Sequence, residues 1–504
     1  MIRPEGDRSA MVNRRHAGCL PGQKRFLEEV KALRNPGQRL GVWSELVTLP
    51  TLLSVALISC GGASNNPSST SLNDDMTGTI TVAYSTTYVF DSDDTSVIWW
   101  DKVKKEFEAA YPKAKLNLQG FNGTDVDLVN KVALEYKNPS TTPDVFMLPT
   151  GYVGQWVGSD YLLPLDSFVT DSSKAPFWKS FPKVIQDESR INGKVYAVNT
   201  GENDSAIYYN TSMLTKAGIS VPWAPKNWND LLTAARAVKK SGQNVVSFWA
   251  PAGTSAGAGG VLQGSANMVY GSSTPTIYDY KTNKWVVDSP GLRETFQFYK
   301  SVYSEGLGGS TSDLFSPKAV GRPVVLLKDH QMAIAIGSNW FADAWTEQNR
   351  HWATAAQEAS AVPLPTSKGQ APGSASTLGG WAVSISKVTK HPQLSWGLIK
   401  VIQSDDNQTY IANRAGFVPP SQTVAHSDGF LNFAPPFNKA FGDTLPNSKL
   451  VPSEQEGYPA WVQGIGQATG QIATDPNTSV DAAIKILHDT VANQVGADKV
   501  ETLK

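Results

Sequence analysis

The sequence predicts an α/β fold with two domains, in which mostly parallel sheets are flanked by helices. Segments of strand type alternate with segments of helix type along the chain, and such alternation is typical of parallel sheets covered by helices. The chain has 504 residues, whereas one hydrophobic core stops growing at roughly 250–300 residues. Because no short-period repeat occurs in the sequence, solenoids and propellers are excluded.

The first alternating series occupies residues 79–148. A β-branched run at 79–84 predicts a buried strand. Apolar residues spaced three and four apart predict an amphipathic helix at 97–111, which Pro112 ends. The series continues with a strand at 114–118, a helix at 125–136 and an apolar strand at 144–148.

The same alternation returns in the rest of the chain. Helical spacing occurs at 228–240, 292–303, 392–402 and 480–495, and strand-like runs occur at 195–198, 207–209, 245–249, 331–336 and 381–386. Segments rich in Gly, Ser and Pro predict loops at 251–264 and 363–380. Ligands of open parallel sheets bind beyond the carboxyl ends of the strands. The candidate binding loops therefore follow Tyr84, Leu148, Val198 and Ile336.

Charge and cysteine content exclude several classes of site. The formal net charge is −1 and the charges are scattered, so no basic stripe is available for nucleic acid, which we do not expect as a partner. Cys19 and Cys60 are the only cysteines, which leaves no disulfide framework, zinc cluster or catalytic thiol for the body of the protein. The six histidines lie far apart, without the short spacing of a helical metal site. We expect neither a metal nor a cofactor.

An apolar stretch at residues 48–59 lies near the N-terminus. Its length suits a signal-peptide core and is too short to cross a bilayer of roughly 30 Å as a helix. It ends in LISCG, which resembles a bacterial lipobox, and this resemblance implies cleavage before Cys60 and a lipid on its sulfur. Residues 1–59 would then be an N-terminal extension and signal peptide, and residues 60–77 a flexible tether. Alternatively, Cys60 is a small residue after a buried apolar run.

A set of short motifs is spread in order over residues 79–495. They are PDVF at 143–146, LPLD at 163–166, NGKVYAV at 192–198, YYNTSML at 208–214, KNWNDLL at 226–232, QMAI at 331–334, GSNW at 337–340 and GGWAVSI at 379–385. The ordered set resembles the maltose-binding-protein-like group (family 1) of extracellular solute-binding proteins, which serve carbohydrate ABC importers of bacteria. The chain departs from that group at Asn199, where the family often has Pro.

The resemblance implies a two-lobed periplasmic-binding-protein-like fold. Each lobe is expected to hold a mostly parallel sheet flanked by helices, and hinge strands crossing between the lobes let them close over a sugar. Lobe I would comprise residues 78–198 plus 362–404, and lobe II residues 199–361 plus 405–504. The expected protein is a lipid-anchored monomer on the extracellular face of the cytoplasmic membrane. It would bind a carbohydrate and deliver it to the permease subunits of an ABC transporter, without being an enzyme.

The resemblance also selects two tryptophans for the sugar site. A sugar offers hydroxyls that need hydrogen bonds and C–H faces that suit an aromatic ring. By analogy with the family, Trp340 in the GSNW motif and Trp381 in the GGWAVSI motif are predicted to stack on the solute. The alternative for both is a place in the core, because tryptophan is commonly buried.

The predicted polar contacts lie on the candidate binding loops. They are Glu202, Asn203 and Asp204 beside the first crossover, Tyr88 after the first strand, Thr150 and Tyr152 after the third strand, Asn339 beside Trp340, and Arg414, whose planar fork suits paired hydroxyls. Ordinary turn chemistry explains the acidic loop almost as well. Arg414 alternatively pairs with a surface carboxylate.

Two other functions compete with solute binding. A secreted glycosidase needs two carboxylates about 5–5.5 or 6.5–9.5 Å apart, and a sequence with 45 acidic residues does not exclude such a pair. Motifs for a nucleophile elbow, a zinc protease helix, a phosphate loop and a dinucleotide site are absent from the sequence. A surface lectin that binds glycan without a transporter is the third alternative.

Overall fold

The computed structural model describes residues 76–86, 95–122, 125–138, 141–255, 257–316, 318–346, 351–433 and 437–504. The predicted signal peptide, the tether with Cys60, and Tyr88 lie outside these ranges. Within them, the chain alternates between strands and helices as the sequence predicts.

The regular elements are numbered in chain order. The strands are β1 (Gly78–Ser85), β2 (Ala114–Phe121), β3 (Val145–Pro149), β4 (Arg190–Ile191), β5 (Lys194–Val195), β6 (Val198–Asn203), β7 (Ser205–Asn210), β8 (Tyr278–Asp279), β9 (Lys284–Asp288), β10 (Ile334–Ser338), β11 (Ala359–Pro363), β12 (Thr377–Ile385), β13 (Lys449–Leu450) and β14 (Val500–Thr502). The helices of the first half are α1 (Thr95–Ala110), α2 (Asp125–Glu135), α3 (Val153–Gly158), α4 (Asp166–Val169), α5 (Lys183–Glu188), α6 (Thr211–Lys216), α7 (Trp228–Lys240), α8 (Gly257–Val261) and α9 (Asn267–Gly271). Those of the second half are α10 (Pro290–Ser304), α11 (Thr311–Leu314), α12 (Arg322–Lys328), α13 (Trp340–Ala344), α14 (Ala355–Glu358), α15 (Pro392–Ile402), α16 (Asp405–Ala415), α17 (Gln422–Ala425), α18 (Asp428–Leu431), α19 (Asn438–Thr444), α20 (Tyr458–Thr474) and α21 (Val480–Val495). Short 3-10 turns occur at Thr150–Tyr152, Pro176–Ser180, Ala319–Gly321, Leu445–Asn447 and Ala497–Lys499, and a π-helix occurs at Leu262–Ala266.

The largest sheet has six strands. β1 pairs in parallel with β2 and β3, and β12 pairs antiparallel with both β3 and β6 and in parallel with β13. Helix α1 buries Trp99, Trp100, Val103 and Phe107, residues on the apolar stripe that its sequence spacing predicts.

The second sheet has β7 at its centre, between β10 and β11, and both neighbours are antiparallel to it. The expectation of mostly parallel pairing is therefore wrong in this sheet. The reason is the path of the chain, which enters the sheet through β7 and leaves it through β11, so the two strands run in opposite directions. The predicted strand at 245–249 contributes only two isolated parallel bridges, Val246 to Met332 and Trp249 to Ala335.

Two segments cross between these sheets. The first crossing runs from β6 in the large sheet to β7 in the second sheet, and only Asp204 lies between the two strands. The second runs from β11 back to β12 through residues 364–376. Chain segments that connect two separate sheets in this way give the hinge geometry that a two-lobed protein needs.

Most predicted elements are confirmed, and one difference is instructive. The helices predicted at 228–240, 392–402 and 480–495 have these bounds in the structure. The segment 251–264, predicted as a loop, instead contains α8 and the start of the π-helix. Within the described ranges, no helix combines the length and the hydropathy needed to cross a bilayer.

Candidate functional site

The polar residues predicted beside the first crossing meet residues of the second crossing. Asp204 is 1% exposed, and its carboxylate accepts hydrogen bonds from the Ser205 backbone N–H (2.8 Å) and the Ser448 hydroxyl (3.3 Å). The Ser205 N–H also donates to the hydroxyl of Ser376, which precedes β12 (2.9 Å). The two crossings are therefore joined by hydrogen bonds at Asp204.

Asn339, the residue between β10 and α13, also joins the crossing strand to its surroundings. Its Oδ1 accepts from the Asp204 backbone N–H (2.8 Å) and from the Ser338 hydroxyl (2.9 Å). Its Nδ2 donates to the carbonyl oxygens of Glu202 (3.2 Å) and Gly416. Both donors and the acceptor of this amide are thus used by the protein, which fixes the orientation of Asn339, and its contact with a solute remains a prediction.

The turn after α16 completes this junction. Gly416 has φ +68°, a left-handed conformation that favours glycine at a helix end. A Cβ there would lie 2.7 Å from the Cα of Trp340. The glycine thus lets the turn that carries Arg414 pack directly against the start of α13.

A pair of carboxyl groups lies on the large-sheet side of the crossing. The Nδ2 group of Asn199 donates to Oε2 of Glu188 and to Oε1 of Glu202, both at 2.6 Å. Ser189 donates to Oδ1 of the same amide (2.7 Å). Glu202 is completely buried, and its Oε2 has no hydrogen-bond partner among the residues that the structure describes.

Thr150 connects this pair to the second crossing strand. Its hydroxyl oxygen accepts from the Gly380 backbone N–H (3.0 Å), and the hydroxyl hydrogen-bonds to Glu188. Thr150 follows β3 and Gly380 lies in β12, so the end of one strand and the middle of its neighbour both contact the carboxyl pair. Sequence reasoning predicts Thr150 from its position alone, and the structure shows these contacts.

All three acidic groups are shifted toward the protonated form. Burial is the main cause that raises the pKa of Glu188 to about 7 and of Asp204 to about 7. Burial also raises the pKa of Glu202 well above its usual range, and the neighbouring charges of Glu188 and Asp204 raise it further. The physical reason is that a carboxylate loses its hydration on burial and gains no cation here.

The two predicted stacking residues are almost completely covered. Trp340 and Trp381 are each 4% exposed. Trp340 packs edge-on against Phe341, with ring centroids 4.6 Å apart, and the Trp381 carbonyl accepts from the Thr200 hydroxyl (3.0 Å). Neither ring has a broad open face in this structure, so their stacking on a solute remains a prediction.

A small pocket lies against the second sheet. Trp249, Ile336, Phe341 and Gln263 are among its lining residues. Trp249 and Ile336 lie where the isolated parallel bridges end, the edge at which ligands of parallel strands bind. The segment after Ile336 was predicted as a binding loop on the same principle.

The remaining predicted residues have different surroundings. Arg414 is half-buried, and its guanidinium carbon lies 6.0 Å from the centre of the Tyr410 ring. In the part of the chain that the structure describes, no carboxylate pairs with it. Asn203 is half-buried with an unpartnered Oδ1, and Tyr152 is half-buried. Tyr88 lies outside the described residues.

Sequence reasoning missed Glu188, Asn199, Ser376 and Ser448. Asn199 did carry a signal, because it stands where the resembling family often has Pro, and proline offers no side-chain amide. Nothing in the sequence around Glu188 distinguishes it from an exposed helix-end acid. Among the described residues, no group of three or more His, Cys, Asp or Glu side chains is arranged to hold a metal ion.

Comparison with known proteins identifies the family. Residues 102–433 match the family described as bacterial extracellular solute-binding protein. A putative binding protein of Brucella abortus is 24% identical over 361 residues, which cover 70% of this chain and 80% of the relative.

Solved structures of similar fold include two sugar-binding proteins. The sugar-binding protein MalE from Xanthomonas citri aligns with a TM-score of 0.68 at 19% identity, over 82% of this chain and 98% of that protein. The cyclic alpha-maltosyl-1,6-maltose binding protein from Arthrobacter globiformis aligns with a TM-score of 0.67 at 16% identity, over 83% of this chain and 99% of that protein. These similarities confirm the predicted two-lobed fold of periplasmic binding proteins.

The family match spans most of the chain and includes both sheet crossings. Members of this family bind solutes outside the cytoplasm rather than convert them. The chain belongs to the bacterial extracellular solute-binding protein family.

Proposed function

We propose that the protein captures a sugar or oligosaccharide between its two lobes and delivers it to the membrane permease of an ABC transporter, without changing it chemically. The observation that carries this proposal is the convergence of separate segments at the sheet crossings. Aromatic and polar side chains after β3, β6 and β10 and within β12 lie there, beside the pocket lined by Trp249 and Phe341. The sugar-binding neighbours of the same fold support this choice of solute.

The proposed function requires two lobes, whose boundaries we also propose. We propose lobe I at residues 78–198 plus 362–404 and lobe II at residues 199–361 plus 405–504. Lobe movement about the crossings would open the covered edge at Trp340 and Trp381 to the solute, in the manner of hinge closure. The burial of both rings supports a role at a closing interface as well as a role in packing.

A thermal-shift screen against mono-, di- and oligosaccharides tests the solute class. A solute that binds only the folded protein raises its apparent melting temperature by mass action. We expect at least one sugar to do so. Glycerol phosphate should be included, because the half-buried guanidinium of Arg414 has no carboxylate partner among the described residues. A shift with glycerol phosphate and with no sugar would overturn the sugar assignment.

Trp340→Phe and Trp345→Phe form a matched pair for this screen. Both tryptophans are buried and both contact Phe341. Only Trp340 belongs to the GSNW motif, and the indole N–H of Trp345 donates to the Val324 carbonyl. We expect Trp340→Phe to reduce the sugar-induced shift and Trp345→Phe to preserve it. Product formation from an oligosaccharide would instead establish a glycosidase, and binding without stimulation of a reconstituted importer would favour a lectin.

We further propose that a lipid on Cys60 holds the protein, as a monomer, on the extracellular face of the cytoplasmic membrane. The lipobox-like LISCG sequence and the polar stretch after it support the anchor. Cys60→Ala should move the protein from the membrane fraction to the soluble fraction when it is expressed in a bacterium that processes lipoproteins. Cys19→Ala is the control and should leave it with the membranes. A Cys60→Ala protein that stays membrane-bound would contradict the anchor.

A further inference from the structure

Glu188 and Glu202 form a carboxyl pair that solute binding does not explain. Both accept from the single side-chain nitrogen of Asn199 at 2.6 Å, so the two accepting oxygens lie no more than about 5.2 Å apart. Asn199 and Glu202 are completely buried. Two carboxylates are acceptors only, whereas a proton on one of the two groups makes it a donor to the other.

The groups that face the pair do not supply a compensating positive charge. Thr150 contacts Glu188 through its hydroxyl, and Asp204 adds a negative charge on the side of Glu202. From β12, the backbone of Gly380 approaches Glu202 closely, and on the other side Val418 exchanges two backbone hydrogen bonds with Glu202, each 2.9 Å.

The nearest basic residues in sequence are engaged elsewhere. Arg190 lies 3.8 Å from Asp166, and Lys183 pairs with Asp187. Within the described ranges, neither Glu188 nor Glu202 forms an ion pair with a lysine, arginine or histidine. Two adjacent carboxyl groups that lack a cation cannot both ionise at low cost.

We propose that Glu188 and Glu202 hold one proton between them at neutral pH, and that this proton clamps the end of α5 to the crossing strand β6 until alkaline pH removes it. Loss of the proton leaves two negative charges in contact inside the hinge and pushes the end of α5 away from β6. The clamp therefore makes the hinge a pH-sensitive element, whatever solute the protein carries. Burial and the neighbouring charge of Glu188 raise the pKa of Glu202 well above its usual range, as expected for a pair that retains a proton at neutral pH.

The test measures thermal unfolding of the full chain without solute between pH 5 and pH 9. The wild-type melting temperature should fall as the pH rises from about 5, because the folded state keeps the shared proton that the unfolded chain releases near pH 4.5, and it should level off once the folded state also releases this proton. In Glu202→Gln the amide N–H replaces the shared proton and donates permanently to Glu188. We expect its alkaline melting temperature to exceed that of the wild type by several degrees, with a smaller difference at pH 5. Glu456→Gln, at an exposed residue, is the control and should follow the wild-type curve.

Infrared spectroscopy of the wild type gives an independent readout. The signal of protonated carboxyl groups should be present at pH 6.5 and should disappear by pH 9. In the Glu188→Gln, Glu202→Gln double variant the signal at pH 6.5 should be smaller, because only Asp204 of these three buried acids still contributes to it. Parallel melting curves for Glu202→Gln and wild type would overturn the proposal, as would a protonated carboxyl signal that survives in the double variant unchanged. Since no solute is added, neither result depends on the sugar assignment.

Discussion

Gly380→Ala should prevent folding or lower the free energy of unfolding by more than about 4 kcal/mol, a size reserved for severe steric or burial defects. A Cβ at this position would lie 2.1 Å from the Gly201 carbonyl oxygen and 2.9 Å from the Cα of Glu202. Both are backbone atoms of the neighbouring strand β6, so the clash cannot be relieved by rotating a side chain. Urea unfolding followed by circular dichroism measures the loss.

Gly379→Ala is the matched control, one position earlier in the same strand. Its Cβ would meet only the Thr150 hydroxyl oxygen, at 3.9 Å, which is an ordinary van der Waals distance. We expect a change within about 0.5 kcal/mol, as for neutral substitutions. Equal stability of the two variants would show that β6 and β12 can separate without cost, and that the tight junction of the crossings does not exist in solution.

Asp204→Asn should stabilise the protein at alkaline pH by up to about 4 kcal/mol, the free energy that corresponds to a pKa raised from 3.8 to about 7. The folded protein retains a proton on Asp204 that the unfolded chain releases near pH 4. Wild-type stability therefore falls as the pH rises from about 4 to about 7, and it stays low above that range. Asparagine has no charge to desolvate, and its amide can still accept from the Ser205 N–H and donate to the Ser448 hydroxyl.

Denaturant unfolding at pH 4 and pH 8 separates this effect from a general change in packing. The variant should equal the wild type at pH 4 and exceed it at pH 8. Asp329→Asn removes a charge from an exposed residue and should leave both values unchanged. A variant that is less stable than wild type at pH 8 would show that the Asp204 carboxylate is compensated by groups that the described contacts do not include.

The sequence predicts the fold well wherever hydrophobic periodicity decides the element. Helix α7 illustrates this: its buried side chains follow helical spacing, and Asn227 caps its first turn by accepting from the Asp230 N–H. Strand β1 and helix α1 are equally clear, since a β-branched run and an apolar stripe are local signals. These elements need no information about distant parts of the chain.

The helices that the sequence does not predict contain residues that disfavour a helix locally. Helix α20 contains Gly464, Gly466 and Gly470, residues that lower intrinsic helix propensity. In the structure these glycines allow close packing, because Gly464 faces Leu487 while Gly466 and Gly470 approach Gly253. Tertiary contacts thus stabilise a helix that local propensity disfavours, and the same holds for glycine-rich α8.

The candidate site could be predicted only in part. Position after a predicted strand identified Thr150, Glu202 and Asp204, although Glu202 lies within β6 in the structure. Glu188 and Ser448 reach the crossings through long-range folding, which leaves no trace in the neighbouring sequence. Burial of Trp340 and Trp381 depends on packing between segments, and composition alone cannot reveal it.

The unequal lengths of the two crossings have a mechanical consequence. The single residue between β6 and β7 gives that connection almost no slack, whereas residues 364–376 form a long arm between β11 and β12. Movement of one lobe relative to the other would then pivot at Asp204, while residues 364–376 adjust their conformation to the movement. We therefore expect insertions and deletions to be tolerated within residues 364–376 but not at Asp204. The range of lobe movement can then be changed only through the longer crossing.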